Sequence, residues 1–281
     1  MIEGRGTRIG VGIAAGLVVA FLWLPLIVIT LYAFSRSRIP AWPITSYSTR
    51  WFREAWHDQA ARDAFLLSIK VALGATAIAL VLGTLAAFAV GRHRFFGRET
   101  ISFLVVLPIA LPGIVTGMAL NATFGEVLAP FGIGFGLFTV IVGHATFCVV
   151  TIYNNVIARL RRSSPSFEEA SADLGADSWT TFRLVTLPAL RSAMVAGALL
   201  AFALSFDEVI VTTFTAGDQA TLPIWILTNL SRPNQLPIVN VVAVLVVLLS
   251  AIPVYLAHRL TVDREGDSAA AAPAGAVAAA H

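Results

Sequence analysis

The segment that decides the fold is polar and lies between two long apolar stretches; residues 168–188 read EEASADLGADSWTTFRLVTLP. Ser166 and Glu169 are spaced as an N-cap and a capping box, which predicts a helix start here. Gly175 is expected to end this helix in a sharp turn, and Pro188 suits the first turn of the next helix. The pattern predicts a short polar helix between two membrane helices, where it would offer a docking surface to a soluble partner.

The composition is typical of a polytopic membrane protein. Of the 281 residues, 57% are hydrophobic and only 12% are charged. The net charge of +3 does not indicate nucleic-acid binding, because the arginines lie at the ends of apolar segments. The one cysteine, Cys148, excludes an internal disulfide and a cysteine-rich metal site. Since the chain has no G-x-x-x-x-G-K-S/T run, we expect it to be no enzyme and to bind no cofactor or metal.

Six apolar segments predict an all-α protein that crosses the membrane six times. The expected spans are residues 11–34, 64–90, 99–124, 135–158, 189–215 and 238–260. They divide the chain into a tail at 1–10, the first span, an external loop at 35–63, a core at 64–262 and an Ala-rich tail at 263–281. That last tail has too little to bury and is expected to be disordered.

The arginines predict the orientation of the chain. Clusters at residues 92–98 and 159–162 would lie at the same membrane face as the two termini. By the positive-inside rule, both termini and the polar segment near 165–187 are then cytoplasmic.

The spacing within the polar segment points to a known family. The pattern E-A-A-x3-G-x9-I-x-L-P is matched by Glu169-Ala170-Ser171, Gly175, Val185 and Leu187-Pro188. This segment resembles the EAA loop of permease subunits from binding-protein-dependent type I ABC importers. The serine and the valine replace an alanine and an isoleucine, and both changes are small. An ordinary amphipathic connector would explain the caps and charges, but not the glycine and the Leu-Pro pair at these offsets.

The resemblance implies a coupling helix that sits in an ATPase subunit and transmits its closure to the membrane helices. The residues to which it assigns this role are Glu168, Glu169, Ala170, Ser171, Asp173, Gly175, Leu187 and Pro188. It also implies a second permease subunit, two ATPase subunits that bind ATP and Mg²⁺, and an extracytoplasmic solute-binding protein. The location would be the cytoplasmic (inner) membrane of a bacterium.

Two adjacent carboxylates in the fifth predicted span, Asp207 and Glu208, are candidates for contact with cargo. A carboxylate inside a membrane segment is costly and usually serves a transport pathway or a partner. The alternative is an ion pair with Lys70 or a cap at a helix break. Adjacent helical residues point about 100° apart, so at most one carboxylate needs to line a pathway.

Aromatic residues near this pair are weaker candidates. Phe202 and Phe206 could add a cation–π surface, although plain packing is commoner. Trp225 could meet an external partner or anchor at the membrane interface. His144 is a lone membrane histidine, for which a hydrogen bond to a neighbouring helix is favoured over metal binding.

The run ALSFDEVIVTTF at residues 203–214, followed by Thr221-Leu222-Pro223, resembles the polyamine (spermidine/putrescine) permeases. The resemblance implies a small cationic solute as cargo, with the acidic pair as its counter-charge. A permease for another small nitrogen compound, such as an amino acid or GABA, is the first alternative. An ion-coupled secondary carrier and a membrane-embedded enzyme are further ones, although internal repeats and converging polar groups are not evident.

Overall fold

The computed structural model describes residues 5–250, and every regular element among them is helical. In chain order the helices are α1 Arg5–Ala33, α2 Arg50–His57, α3 Gln59–Arg92, α4 Arg98–Ala110, α5 Gly113–Val127, α6 Leu137–Arg162, α7 Ser166–Asp173, α8 Ser178–Thr181, α9 Leu187–Phe206, α10 Ile210–Thr215, α11 Leu222–Leu230 and α12 Leu236–Ser250. A 3₁₀ turn at Ala129–Phe131 and a π-helical segment at Phe182–Thr186 complete the set. The all-α expectation is therefore confirmed for this part of the chain.

Within residues 5–250, four helical stretches are long and apolar enough to cross a membrane: Gly6–Ala33, Gln59–Arg92, Leu137–Arg162 and Ser178–Phe206. The bent pair of α4 and α5 would make a fifth span. The predicted sixth span, 238–260, begins within α12 and continues outside the described residues, as does the predicted tail at 263–281. The six-helix count therefore stays a prediction.

The third predicted span, 99–124, is not one straight helix. It divides into α4 and α5, whose axes differ by 105°. Pro112 has no N–H to donate and disfavours helical geometry in the residue before it. Leu111 is accordingly extended, with ψ of 142°, and Gly113 begins the second helix.

The fifth predicted span, 189–215, is also interrupted. The helix ends at Phe206, and a separate short helix, α10, begins at Ile210. At its N-terminal end the span is longer than expected, because α8, the π-helical segment and α9 form one continuous helix from Ser178 to Phe206. Pro188 explains the π geometry: it cannot bond the carbonyl four residues back, and its ring crowds that carbonyl.

The helices α3, α6 and α9 pack together at the centre of the compact unit formed by residues 58–228. Small residues let their backbones approach closely, as membrane helices require. A Cβ atom on Gly83 would lie 2.9 Å from the carbonyl oxygen of Val149, and one on Gly197 would lie 3.3 Å from the Cα of Ile152. The buried residues that surround these contacts include Ala79, Ala87, Val156 and Leu160.

The second compact unit contains the described residues on either side of 58–228, including α1, α2 and α12. Trp51 of α2 is fully buried, and its indole Nε1 donates a hydrogen bond of 2.7 Å to the carbonyl of Ser35. The guanidinium of Arg50 lies 3.9 Å from the centre of the same ring. Most of the apolar surface of α1 is exposed in the isolated chain, as expected for a helix that faces lipid or another subunit.

Candidate functional site

The coupling segment, residues 165–187, begins with a helix start that differs from the expected one. The capping box of Ser166 and Glu169 is absent, because Ser166 is already the first residue of α7. Pro165 precedes it with helical dihedral angles, and its carbonyl accepts the N–H groups of Glu168 and Glu169. Proline favours this backbone geometry, so the helix starts one residue earlier than the side-chain pattern predicted.

Glu168 ties the coupling segment to the membrane helices. Its carboxylate forms an ion pair with Arg92 at the end of α3, at 3.0 Å. The same guanidinium donates to the carbonyls of Leu160, at 3.2 Å, and Ser163, at 3.4 Å, at the end of α6. The hydroxyl of Thr186 in the π-helical segment donates to the carboxylate at 3.1 Å. Glu168 and Arg92 together thus link four elements at this end of the bundle, namely α3, α6, α7 and the π-helical segment.

Gly175 makes the turn that the sequence predicts. Its φ of +86° lies in the left-handed region, and no atom lies within 4 Å of a Cβ built on it. The N–H of Ala176 donates to the carbonyl of Ser171 at 3.1 Å, and that of Gly175 to the carbonyl of Ala172 at 2.8 Å. This is a Schellman motif, which closes the C-terminus of α7. In the isolated subunit, glycine is therefore required at position 175 by the left-handed backbone conformation, and not by a lack of room for a side chain.

Asp177 is the N-cap of α8, the helix that follows this turn. Its carboxylate accepts the N–H of Thr180 at 2.7 Å. Hydrogen bonds from the side chain and then the backbone of Thr180 lower the pKa of Asp177 below its usual value. The hydroxyls of Ser171 and Thr181, 3.0 Å apart, join α7 to α8 across the turn. The two short helices therefore form one folded unit.

The coupling segment also has a face that is exposed to solvent in the isolated subunit. Its carboxylates and small residues, Glu169, Ala170 and Asp173, are exposed. Large apolar side chains accompany them: Phe167 is 70%, Leu174 is 90% and Trp179 is 66% exposed. Exposed apolar groups beside charges are typical of a protein–protein contact surface.

The predicted coupling residues thus fall into separate groups. Glu168 and Ser171 make internal contacts, whereas Glu169, Ala170 and Asp173 lie on the exposed face. Leu187 and Pro188 begin α9 and do not belong to the turn itself. Their contact with an ATPase subunit stays a prediction.

Sequence reasoning used the arginines near the coupling segment only to assign orientation and missed their structural role. Arg92 is the partner of Glu168, and together with Arg159 and Arg162 it lines a groove of about 670 Å³ beside α7. No local sequence pattern indicates the ion pair between Arg92 and Glu168, because the two residues are 76 positions apart in sequence. Only the packing of α3 against α6 brings them together.

The break after α9 separates the two candidate carboxylates. Asp207 follows the last residue of α9 and is exposed, and its side chain makes no hydrogen bond or ion pair within residues 5–250. Glu208 accepts the N–H of Val211 at 2.9 Å and so caps α10. Lys70 is exposed and pairs with neither acid in this part of the chain.

The aromatic candidates occupy different environments. The rings of Phe202 and Phe206 are half-buried and stack with their centres 6.0 Å apart. Phe65 of α3 meets Phe206 edge-on at 6.2 Å. Trp225 is only 6% exposed. Packing accounts for these rings as observed, and their contact with cargo stays a prediction.

His144 bonds to a neighbouring helix, as expected. Its ring contacts the hydroxyls of Ser205 in α9 and Thr212 in α10, each at 2.8 Å. No three His, Cys, Asp or Glu side chains within residues 5–250 are arranged to hold a metal ion.

Comparison with known proteins identifies the family. Residues 79–265 match the family described as "Binding-protein-dependent transport system inner membrane component". The putrescine transport system permease protein PotI of Escherichia coli K12 is 33% identical over 252 residues, which are 87% of this chain and 88% of that protein. The spermidine/putrescine transport system permease protein PotC of Haemophilus influenzae is 30% identical over 246 residues, covering 87% of this chain and 93% of that protein.

A solved structure shows the same fold. It belongs to a bacterial ABC transporter involved in the import of the acidic polysaccharide alginate, and its TM-score is 0.67 at 16% identity, covering 94% of this chain and 99% of that one. The helical architecture, the family match and these relatives agree. The chain is a member of the inner-membrane permease family of binding-protein-dependent transport systems.

Proposed function

We propose that the chain is one permease of an ATP-driven importer for a small cationic solute, namely putrescine or spermidine. It would work beside a second permease, above two ATPase subunits that bind ATP and Mg²⁺, and below an extracytoplasmic solute-binding protein. Both termini would be cytoplasmic, and this chain would catalyse no reaction itself. The polyamine transport named for its relatives PotI and PotC supports the choice of cargo.

One observation carries the proposal: the coupling segment and the exposed carboxylate lie at opposite ends of one helix. That helix runs without interruption for 29 residues, from Ser178 to Phe206. At 1.5 Å per residue it is about 43 Å long, enough to cross the membrane. A displacement of the coupling segment therefore has a rigid path to the position of Asp207.

The end of α9 suits a cation. The last carbonyls of a helix carry a partial negative charge, and here the carboxylate of Asp207 follows them directly. A broken membrane helix is tolerated where its free backbone groups are buried in protein or line a water-filled cavity. An ammonium group that leaves water needs such compensating charge.

The structure also distinguishes the two acids. Glu208 is engaged as the cap of α10, so its loss would harm the fold of the break. The carboxylate of Asp207 has no such bond within the described chain. We therefore assign the cargo contact to Asp207 and a structural role to Glu208.

The coupling step follows from the contacts of the segment. Closure of the ATPase dimer would move α7, and its Glu168 would transmit the motion to α3 and α6 through Arg92. The π-helical segment would transmit it to α9 directly. The helices would then reopen outward to accept cargo from the binding protein, which is alternating access.

The test uses the complete importer in proteoliposomes, with saturating binding protein. Asp207→Asn should lower putrescine uptake about tenfold or more, the effect of losing about 1.4 kcal/mol of interaction, while uptake of a neutral amine falls less. Glu208→Ala removes the acceptor of the Val211 N–H and should lower uptake together with thermal stability. Asp218→Asn is the matched control, because Asp218 is an exposed acid in the following loop. Native putrescine uptake by Asp207→Asn would remove the proposed charge match.

A further inference from the structure

One buried side chain contacts the fifth membrane helix on both sides of its break. His144 of α6 is fully buried. Its Nδ1 lies 2.8 Å from the hydroxyl of Ser205, in the last turn of α9, and its Nε2 lies 2.8 Å from the hydroxyl of Thr212, in α10. The residues between these two contacts are Phe206 to Val211, which contain Asp207 and Glu208.

The hydrogen bonds around the ring have a defined direction. The hydroxyl of Thr212 donates its one proton to the carbonyl of Glu208, at 2.7 Å. Nε2 of His144 must therefore carry the proton donated to Thr212, and the neutral ring accepts from Ser205 through Nδ1. The result is a chain of bonds from Ser205 through the imidazole and Thr212 to the backbone of Glu208. Such a buried network is rigid when all its members are satisfied.

Other contacts also join α6 to α10. The hydroxyl of Thr139 donates to the carbonyl of Thr215 at 2.6 Å. A Cβ on Gly143 would lie 3.2 Å from the Cγ1 of Val211, so the two helices are in close contact. Neither contact reaches α9. Among the side chains of α6 within residues 5–250, His144 is the one that is hydrogen-bonded to both α9 and α10.

We propose that His144 is a positioning residue for the break in the fifth membrane helix. It holds α9 and α10 in the arrangement that leaves Asp207 exposed at the end of α9 and turns Glu208 into the cap of α10. His144 is buried and does not touch cargo. The consequence for transport rests on the proposed function of Asp207, but the consequence for the geometry of the break does not.

The test of the geometry is a labelling experiment on the assembled importer. Asp207→Cys introduces a reporter thiol, and the native Cys148 is buried and hydrogen-bonded to the carbonyl of Ala201. The initial rate of modification by a membrane-impermeant maleimide is measured on this subunit after separation. His144→Phe keeps a ring and removes both hydrogen bonds, and it should change the rate about tenfold, as expected for loss of a buried hydrogen bond. An unchanged rate would overturn the proposal.

Cys148→Ala is the matched control. Cys148 lies one turn further along α6, and its thiol donates to the carbonyl of Ala201 in α9, at 3.4 Å, but has no hydrogen bond to α10 within the described residues, so its loss should leave the labelling rate at position 207 native. If this control changes the rate as much as His144→Phe does, general loosening of α6 against α9 explains the effect and the positioning role is wrong.

Two conservative variants keep the proposal testable if His144→Phe does not assemble. His144→Asn retains an acceptor near Ser205, and His144→Gln places a donor near Thr212. Each keeps one of the two bonds, so each should give an intermediate labelling rate. Native rates in both variants would overturn the proposal.

Uptake of putrescine by chains that retain Asp207 separates the two hypotheses. His144→Phe should lower the maximal uptake rate, with His144→Asn and His144→Gln in between. If the labelling rate changes and uptake stays native, the positioning role stands and the proposed cargo role of Asp207 fails.

Discussion

Two pairs of adjacent acids, Glu168 with Glu169 and Asp207 with Glu208, show how neighbours in sequence acquire different roles. Glu168 and Glu169 lie within α7, where adjacent residues point about 100° apart, whereas Asp207 and Glu208 lie in the break between α9 and α10. In each pair one carboxylate is bonded within the subunit, by Arg92 in the first pair and by the N–H of Val211 in the second. The other is exposed. Internal bonding therefore indicates which acid of each pair is free for an external partner.

The first pair gives a prediction about stability and docking. Glu168→Gln removes the charge that compensates Arg92, whose side chain is only 14% exposed. The loss of a charge-assisted hydrogen bond should destabilise the subunit by about 1.5–3 kcal/mol. The measurement is the thermal midpoint of the purified assembly together with its transport-stimulated ATPase activity, and both should fall.

Glu169→Gln is the control for that prediction. Glu169 is exposed, so its loss should change the stability of the subunit by less than about 0.5 kcal/mol. Its effect should appear instead as weaker binding of the ATPase subunit. Equal thermal midpoints for the two variants would contradict the internal role of Glu168.

Gly175 gives a second prediction, because its φ of +86° is unfavourable for any residue with a Cβ. Gly175→Val should lower uptake and transport-stimulated ATPase activity together, while membrane insertion persists. Gly175→Asn should retain more of both activities, since asparagine tolerates the left-handed region better. Gly125→Ala is the control, because Gly125 lies inside α5 with nothing within 4 Å of an added Cβ. Native coupling in Gly175→Val would contradict the role of this turn.

At the scale of helices, the sequence predicts the apolar lengths well and the interruptions poorly. The spans that contain α3, α6 and α9 follow from hydropathy, and the coupling segment follows from its motif. The sequence offers a break at Asp207 and Glu208 only as the alternative to a cargo role, because apolar residues resume at Val209 and a hydropathy profile continues through it. The structure confirms that alternative for Glu208. The 105° bend between α4 and α5 was missed for a similar reason, since Pro112 signals an interruption but not its angle.

The coupling segment was also predictable only in part, namely where its features depend on local sequence spacing. The motif located Gly175 and the acids, because their spacing is local. It could not distinguish Glu168 from Glu169, since that depends on Arg92, 76 residues away. The predicted capping box at Ser166 was wrong because Pro165 already has helical dihedral angles.

Pro188 gives a prediction at the helix scale. Pro188→Ala restores an N–H and removes the ring, so the π-helical segment at Phe182–Thr186 should relax to an α-helix. That change removes one residue from the turn and would rotate α8 by about 100° relative to α9. Transport-stimulated ATPase activity should fall, although the thermal midpoint should not, since alanine favours the helix.

Pro223→Ala is the control for this experiment. Pro223 is the second residue of α11, as Pro188 is of α9, but no π-helical segment precedes it. Its replacement should leave ATPase coupling native. If Pro188→Ala also couples normally, the π-helical segment is not needed to orient the coupling segment.

For the whole molecule, the arrangement favours an ATP-driven importer over an ion-coupled carrier. A carrier of that kind needs a membrane carboxylate that exchanges a proton or an ion. Of the two candidate carboxylates within the described residues, Glu208 is engaged in capping α10, so Asp207 is the one that remains for such an exchange. The exposed coupling face, with Phe167, Leu174 and Trp179, would have no purpose in a carrier that works without a soluble partner.

The last prediction tests this choice directly. The complete importer, with ATP on the side of α7 and loaded binding protein on the other side, should accumulate putrescine. The chain alone should accumulate none under a proton or sodium gradient, because nothing then moves the coupling segment at the inner end of the helix from Ser178 to Phe206. An importer with hydrolysis-deficient ATPase subunits is the control and should behave like the chain alone. Accumulation by the chain alone would identify an ion-coupled carrier, since the gradient would then supply the free energy that we assign to ATP.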